Sequence, residues 1–215
     1  KSGSSYTLKG NIPHYVSESN TQPGMPKYKD LNGDGVIDTN DRTMIGRGLP
    51  IHTGGFTNNF EYKGFDLSVF FQWSYGNDVL NANRLFFDSG FQKKRELNQY
   101  ASYTDRWTPE NPNSNIPAAT NSSSNLVISS RVVEDASFLR LKTVTLGYTV
   151  PKTFLKKYKI DNARLYVAAQ NLWTITGYSG YDPEVSIRSG GLTPGLDFSS
   201  YPRALSVSFG INLGF

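Results

Sequence analysis

Residues Phe65 to Tyr75 read FDLSVFFQWSY, and six of their large side chains fall on one parity. Phe65, Leu67, Val69, Phe71, Trp73 and Tyr75 alternate with Asp66, Ser68, Gln72 and Ser74, the period of a strand with one apolar and one polar face. The run matches the roughly 9 to 11 residues that a tilted strand needs to cross a bilayer. Upstream, Phe56, Phe60 and Tyr62 share a parity, and Lys63 and Gly64 separate the two runs, so the segment predicts a hairpin with a tight turn.

The same signal recurs toward the end of the chain. Leu205, Val207, Phe209, Ile211, Leu213 and Phe215 alternate with Ser206, Ser208, Gly210, Asn212 and Gly214. Two further strands are expected near Phe138 to Val150 and Ala163 to Thr174. In the first, Leu139 and Leu141 fall on one parity but Val144, Leu146, Tyr148 and Val150 on the other, so a bulge near Lys142 is required. The connections alternate in length: short after the first strand, long after the second, short to medium after the third, long after the fourth. Transmembrane barrels have short periplasmic turns and long extracellular loops, which puts the C-terminus in the periplasm.

The expected fold class from these patterns is all-β: about five antiparallel strands of a transmembrane β-barrel with long extracellular loops. Residues 1–52 read as a loop region, with at most one short strand before Lys29, and 53–215 as barrel strands with long loops at 76–137 and 175–203. The competing architecture is a soluble β-sandwich, whose alternating faces would meet inside. Strand length and the six apolar groups on one face of the last strand favour the barrel.

Composition agrees. The 13 Tyr, 13 Phe and 3 Trp supply apolar area for a core or a lipid-facing surface. Mean hydropathy is −0.45, and no stretch reaches the roughly 18 apolar residues of a membrane-spanning helix, but a barrel keeps a polar average because its faces alternate. With no cysteine, disulfides, thiolate metal sites and thiol nucleophiles are excluded. The net charge of +4 owes much to Lys152, Lys156, Lys157 and Lys159, which lack any recognition-helix pattern, so no nucleic-acid partner is expected. Residues 1–10 contain no apolar signal core, and an exported protein would then have a cleaved or truncated start.

One motif is sharp. Asp30, Asn32, Asp34, Gly35, Val36, Asp38 and Asp41 carry the spacing of a calcium loop, in which alternate oxygens, with the Val36 carbonyl, converge on a hard cation. Asp41 replaces the usual terminal Glu, and its shorter arm weakens bidentate ligation. Prolines and glycines flank the loop in place of helices. A Ca²⁺ site that stiffens a surface loop is expected at Asp30, Asn32, Asp34, Val36, Asp38 and Asp41; an Asx-rich turn that holds its shape without metal is the alternative.

Catalytic chemistry has no comparable signal. His14 and His52 are the only histidines, and neither sits in a triad or zinc motif. Glu134 with Asp135, and Asp182 with Glu184, read as neighbouring acids in solvated loops. Gly177, Gly180, Gly190 and Gly191 do not lie between a strand and a helix as a phosphate loop must. No catalytic or cofactor-binding residue is expected, and the chain is read as a non-enzyme. Trp107, Trp173, Tyr178 and Tyr181 are candidate platforms for sugar stacking, with interface anchoring the alternative for Trp73 and Trp173.

Five blocks in order carry a family resemblance. PGMPKYKDLNGDGVIDTNDRTMIGRGLP, GFTNNFEYKGFDLSVFFQWSYGNDVLN, RVVEDASFLRLKTVTLGYTVPK, ARLYVAAQNLWTITGYSGYDPEV and YPRALSVSFGINLGF together resemble the C-terminal region of the SusC/RagA-type TonB-dependent outer-membrane transporters of Bacteroidetes. The resemblance covers about Pro23 to Phe215. It implies a barrel of about 22 strands with a plugged lumen, of which this chain supplies about the last five. It also implies a SusD-like surface lipoprotein as cap, TonB contacted through upstream segments, and import of an oligosaccharide or a peptide. The runner-up function is a soluble or surface-anchored calcium-binding β-module for adhesion or glycan binding.

Overall fold

The structure, a computed structural model, describes residues 12–15, 21–90, 98–121, 126–187 and 194–215. In chain order the strands are β1 (His14–Tyr15), β2 (Val36–Ile37), β3 (His52–Tyr62), β4 (Phe65–Tyr75), β5 (Asp78–Asn81), β6 (Val133–Asp135), β7 (Phe138–Thr149), β8 (Asn162–Thr176), β9 (Leu196–Asp197) and β10 (Ser206–Gly214). Among the described residues there are also two short helices, α1 (Ala82–Phe87) and α2 (Lys152–Leu155), and a few single 3-10 turns. The chain divides into two compact units, residues 1–46 with 80–133 and residues 47–79 with 134–215.

The second unit is built on one antiparallel sheet in the order β10-β8-β7-β4-β3. Each long strand thus pairs with its neighbour in sequence, the meander of an up-and-down barrel wall. Lys63 and Gly64 both have positive φ, 46° and 89°, which is the two-residue turn whose twist matches its strands. Tyr62 therefore faces Phe65 in register.

The register passes through the bulge that the parity switch required. Phe70 pairs with Thr143 and Phe71 with Leu141, which leaves Lys142 as the extra residue. On the other side Leu141 faces Trp173 and Thr143 faces Gln170, so β8 is irregular at the same level, where Asn171 takes a positive φ of 53°. With both shifts in place the apolar phase is continuous across all five strands. One rung runs Phe60, Leu67, Leu146, Val167, Phe209; another runs Tyr62, Phe65, Tyr148, Leu165, Ile211.

Phe70 breaks the alternation in β4 and falls on the polar phase. Its ring lies against Gly55 of β3, where a Cβ would collide with it. A ring that covers a facing glycine fills space on a strand that has no side chain of its own.

The connection at 76–137 contains more local structure than a long loop. Asn81 caps α1, its Oδ1 accepting the Arg84 amide at 3.4 Å. In the first unit, Arg131 donates from Nη2 to the Asp88 carbonyl at 2.7 Å, and Ser102 Oγ donates to the buried Asp88 carboxylate at 3.2 Å. Val132, Asn81 and Ser89 are almost fully buried beside them. Polar residues that read as loop composition here satisfy one another in a small packed interior. In the second unit Val79, Ala136 and Tyr178 form a compact apolar cluster.

Candidate functional site

The five-stranded sheet presents two chemically different faces. On the apolar phase Phe56, Phe60, Tyr62, Phe65, Leu146, Leu165, Trp173, Ile175, Val207, Ile211 and Leu213 are exposed, and Phe209 reaches 82% exposure. Rings on this face stack along the rungs, Phe56 on Phe71 at 4.9 Å and Phe65 with Tyr148 at 4.6 Å. A sandwich would bury these groups against a second sheet. Instead the buried strand positions Ser74, Phe138, Arg140 and Gly147 lie mostly on the polar phase. An exposed apolar belt with its polar groups turned inward is the surface pattern of a transmembrane barrel wall.

The polar face carries the charges. Arg140, near the start of β7 on its inward phase, is buried together with Asp182 from the long connection after β8. Nη2 of Arg140 donates to Asp182 Oδ1 at 2.6 Å, and its Nη1 lies 2.7 Å from Glu184 Oε2 at an angle that misses a hydrogen bond. Asp182 also accepts the backbone amides of Glu184 at 2.9 Å and Arg203 at 3.0 Å. Burial pushes the Asp182 carboxyl up, but Arg140 and the two amides outweigh it and hold its pKa below the usual carboxylate value.

Glu184 gathers further partners: Arg203 Nε at 3.1 Å, Lys142 Nζ at 3.4 Å and Gln72 Nε2 at 3.4 Å. Lys142 is the bulged residue of β7. The extra residue lets Leu141 and Val144 both stay outward while Lys142 reaches the same inward carboxylate as Arg140. The network ties the 177–203 connection to the inward wall at two strands, β4 through Gln72 and β7 through Arg140 and Lys142. Each carboxylate oxygen of Asp182 and Glu184 has a donor, while Arg140 Nε and Nη1 make no hydrogen bond and Nη1 is held by charge alone.

A second inward pair spans β7. Arg164 of β8 donates from Nε to Asp66 Oδ1 of β4 at 3.0 Å and from Nη2 to Asp66 Oδ2. Sequence reasoning missed both pairs. Their signal was present as ionisable residues on the polar parity of apolar-alternating strands, where a lumen would lie.

The calcium-type loop belongs to the first unit. Asp30 accepts the Gly33 and Gly35 amides at 2.6 and 2.9 Å, Asn32 accepts that of Asp34 at 3.0 Å, and Asp34 that of Val36 at 2.8 Å. Asp38 accepts the Asn40 amide at 2.7 Å, and Asp41 accepts those of Leu31 and Asp38 at 2.7 and 2.9 Å. Hydrogen bonds from the Asp38 and Leu31 amides lower the Asp41 pKa. Gly33 and Gly35 take positive φ, 79° and 84°, the coiled course that such loops need. Among the described residues no three Asp, Glu or His side chains are gathered closely enough to hold a metal ion. Val36 and Ile37 pair in parallel with His14 and Tyr15.

The remaining candidates separate clearly. Tyr178 is no sugar platform: it is buried, and its hydroxyl donates to the buried Asp197 at 2.7 Å. Tyr181 stays 79% exposed. Trp73 and Trp173 lie on the outward phase toward the long-loop end, Trp73 with its indole N–H on His52 at 3.1 Å. Glu134 accepts from both the amide and the hydroxyl of Ser179 at 2.9 Å. Trp107 packs over Gly24 beside Met25, Pro26 and Pro117 in a shallow cavity of the first unit. Gly177 and Gly180 lie in loop, while Gly190 and Gly191 fall outside the described residues.

Comparison with known proteins gives one direction. No family model matches the sequence. The chain is 38% identical over 213 residues to TonB-dependent receptor P3 of Formosa agariphila, covering 96% of this chain and 21% of that protein. It is 28% identical over 201 residues to TonB-dependent receptor SusC of Bacteroides thetaiotaomicron, covering 93% and 18%. The solved RagAB peptide importer in its open-open state matches with a TM-score of 0.72 at 29% identity, over 87% of this chain and 20% of that one. The chain spans about a fifth of the length of the curated relatives it matches.

Proposed function

The chain belongs to the SusC/RagA-type TonB-dependent receptors and corresponds to their C-terminal region, and from that premise we propose that it forms barrel wall in an outer-membrane nutrient importer. The carrying observation is the apolar belt, continuous in register across five strands and exposed on one face. In this reading the belt faces lipid, and the ion pairs Arg140–Asp182 and Asp66–Arg164 face the lumen. The edges β3 and β10 join further strands of the wall, because unpaired backbone groups are too costly in hydrocarbon. The short connections, at 63–64 and 150–161, lie in the periplasm, and the long ones outside the cell.

The solute is a peptide or an oligosaccharide. The peptide half is supported by the structural likeness to an importer described as carrying peptides, and the oligosaccharide half by the sequence resemblance. A SusD-like lipoprotein would cap the long-loop end, and TonB would act through segments outside this chain. The chain's own part is positional: it closes the wall and holds an extracellular connection against the lumen. Asp182 and Glu134, one acid from each neighbouring pair, serve structural contacts with Arg140 and Ser179.

The loop at 30–41 is proposed as a Ca²⁺ site. Its support is the spacing of Asp30, Asn32, Asp34, Val36, Asp38 and Asp41, and the positive φ of Gly33 and Gly35. Ligation would turn the carboxylates of Asp30, Asp34 and Asp38, which accept hydrogen bonds within the loop, toward one ion, at the millimolar concentrations of extracellular Ca²⁺.

Cell fractionation tests the main reading, using an antibody raised against residues 186–200. A polypeptide much larger than 23.9 kDa, in the outer membrane and with that epitope bound by the antibody on intact cells, is expected. A soluble band near that mass would overturn it in favour of a calcium-binding module.

A further inference from the structure

The lysines of the β7–β8 connection have no part in the importer reading. Pro151 opens the connection, α2 follows, and a 3-10 turn over Lys156–Tyr158 ends at Lys159 with a positive φ of 58°. Lys152, Lys156, Lys157 and Lys159 are all exposed, and none has an ion-pair partner among the described residues. Phe154 and Tyr158, between them, are 70% and 68% exposed. Four unpaired cations interleaved with two exposed rings in eight residues is costly at a water-facing turn, since both rings give up burial.

The connection also lies toward the apolar belt. Ala163 is in phase with the exposed Leu165, yet Ala163 is buried, as is Leu155 of α2, which contacts β8. The neighbouring turn adds Lys63, whose ammonium sits 5.2 Å from the Tyr62 ring, and the Thr149 amide donates to the Gly64 carbonyl at 2.8 Å. One end of the wall thus carries five lysines next to Tyr62, Phe154 and Tyr158.

We propose that the 151–159 connection is a binding site for anionic phospholipid headgroups, with Phe154 and Tyr158 seated at the hydrocarbon boundary and the lysine ammonium groups on phosphate. The proposal rests on the barrel reading, which puts lipid against this end of the belt. Charge complementarity selects the lipid: a lysine near an anionic leaflet contributes on the order of a fivefold preference. Rings seat at the boundary because one end is apolar and the other wet, and lysine stems cover apolar surface while their heads stay in water.

The test places a reporter in the connection of the full-length receptor. Tyr158→Trp is reconstituted in nanodiscs of phosphatidylethanolamine with a minor fraction of phosphatidylglycerol, and bromine is placed on the acyl chains of one lipid or the other. The unsubstituted receptor supplies the background of its own tryptophans. Quenching by the brominated phosphatidylglycerol several-fold above its bulk fraction is expected. That excess should collapse to the bulk fraction when Lys152, Lys156, Lys157 and Lys159 are all changed to Gln, with quenching by the zwitterionic lipid retained. Quenching in proportion to bulk composition in the Tyr158→Trp receptor overturns the headgroup site but leaves the barrel standing. Absence of quenching by either lipid overturns both.

Discussion

Asp66 of β4 and Arg164 of β8 meet through two parallel hydrogen bonds across the intervening strand β7, and the residue beneath them is Gly147. Gly147 faces Asp66 on one side and Tyr166 on the other. A Cβ there would collide with both the carboxylate and the guanidinium. The same Arg164 lies 5.3 Å over the Tyr166 ring, which in turn covers Gly210 of β10. Two glycines thus make room for a row of functional groups on the inward face of the wall.

Gly147→Val should therefore break the pair by occupation rather than by charge. Overpacking of this kind typically costs about 1–3 kcal/mol. The heat needed to unfold the barrel on a semi-native gel should fall, and Asp66→Asn should have little further effect in the Gly147→Val background. Additive losses in the double variant would show that the glycine does not serve the ion pair.

Arg140→Ala should be more damaging than any surface charge deletion. It leaves the Asp182 carboxylate buried without its partner, a loss of about 3–5 kcal/mol for a broken buried pair. The effect should appear first as protease cleavage within 177–203 on intact cells. Equal protection in Arg140→Ala and wild type would mean that the network does not hold the loop.

The same pair sets a pH dependence. The folded pKa of Asp182 is depressed, so its contribution is complete above the ordinary carboxylate value and is lost as pH falls through the lower folded value. Loop protection should be flat from neutral pH down to about 4 and decay below it. Asp182→Asn should remove that decay and lower protection at all pH values. A loss of protection centred near neutrality would point to a different group.

Val207→Lys tests the belt. Val207 faces Ala169 on the outward phase, and a lysine on the lipid face costs about 2–4 kcal/mol at mid-depth and less near the interfaces. Heat-modifiable, membrane-assembled receptor should be reduced for Val207→Lys but not for Ser208→Lys, one residue away on the inward face. Equal tolerance at both positions would contradict the assigned faces.

The calcium loop is tested by calorimetry on the purified receptor. A dissociation constant of about 10⁻⁴ to 10⁻³ M is expected, lost in Asp30→Ala and tightened in Asp41→Glu, whose longer arm supports bidentate ligation. An identical Ca²⁺ response in Asp30→Ala would eliminate the site and leave the loop as an Asx-rich turn.

Much of this architecture was legible in the chain. Side-chain parity is a local property, so the five long strands, the tight turn at Lys63 and Gly64, the bulge at Lys142 and the identity of the apolar face could all be read from alternation alone. Alternation says which residues share a face, and it cannot say what covers that face. That the belt stays exposed while Ser74, Arg140 and Gly147 are buried was decided by tertiary packing: the 177–203 connection and the Asp66–Arg164 pair lie on the polar phase, and among the described residues the apolar phase stays open. The loops were less legible for the same reason. Tyr178 looked like a surface aromatic until Asp197, nineteen residues on, took its hydroxyl in a buried hydrogen bond. Arg140 with Asp182 and Asp66 with Arg164 lie 42 and 98 residues apart in sequence. Local pattern carries no information across such distances, and only the tertiary register brings those charges together.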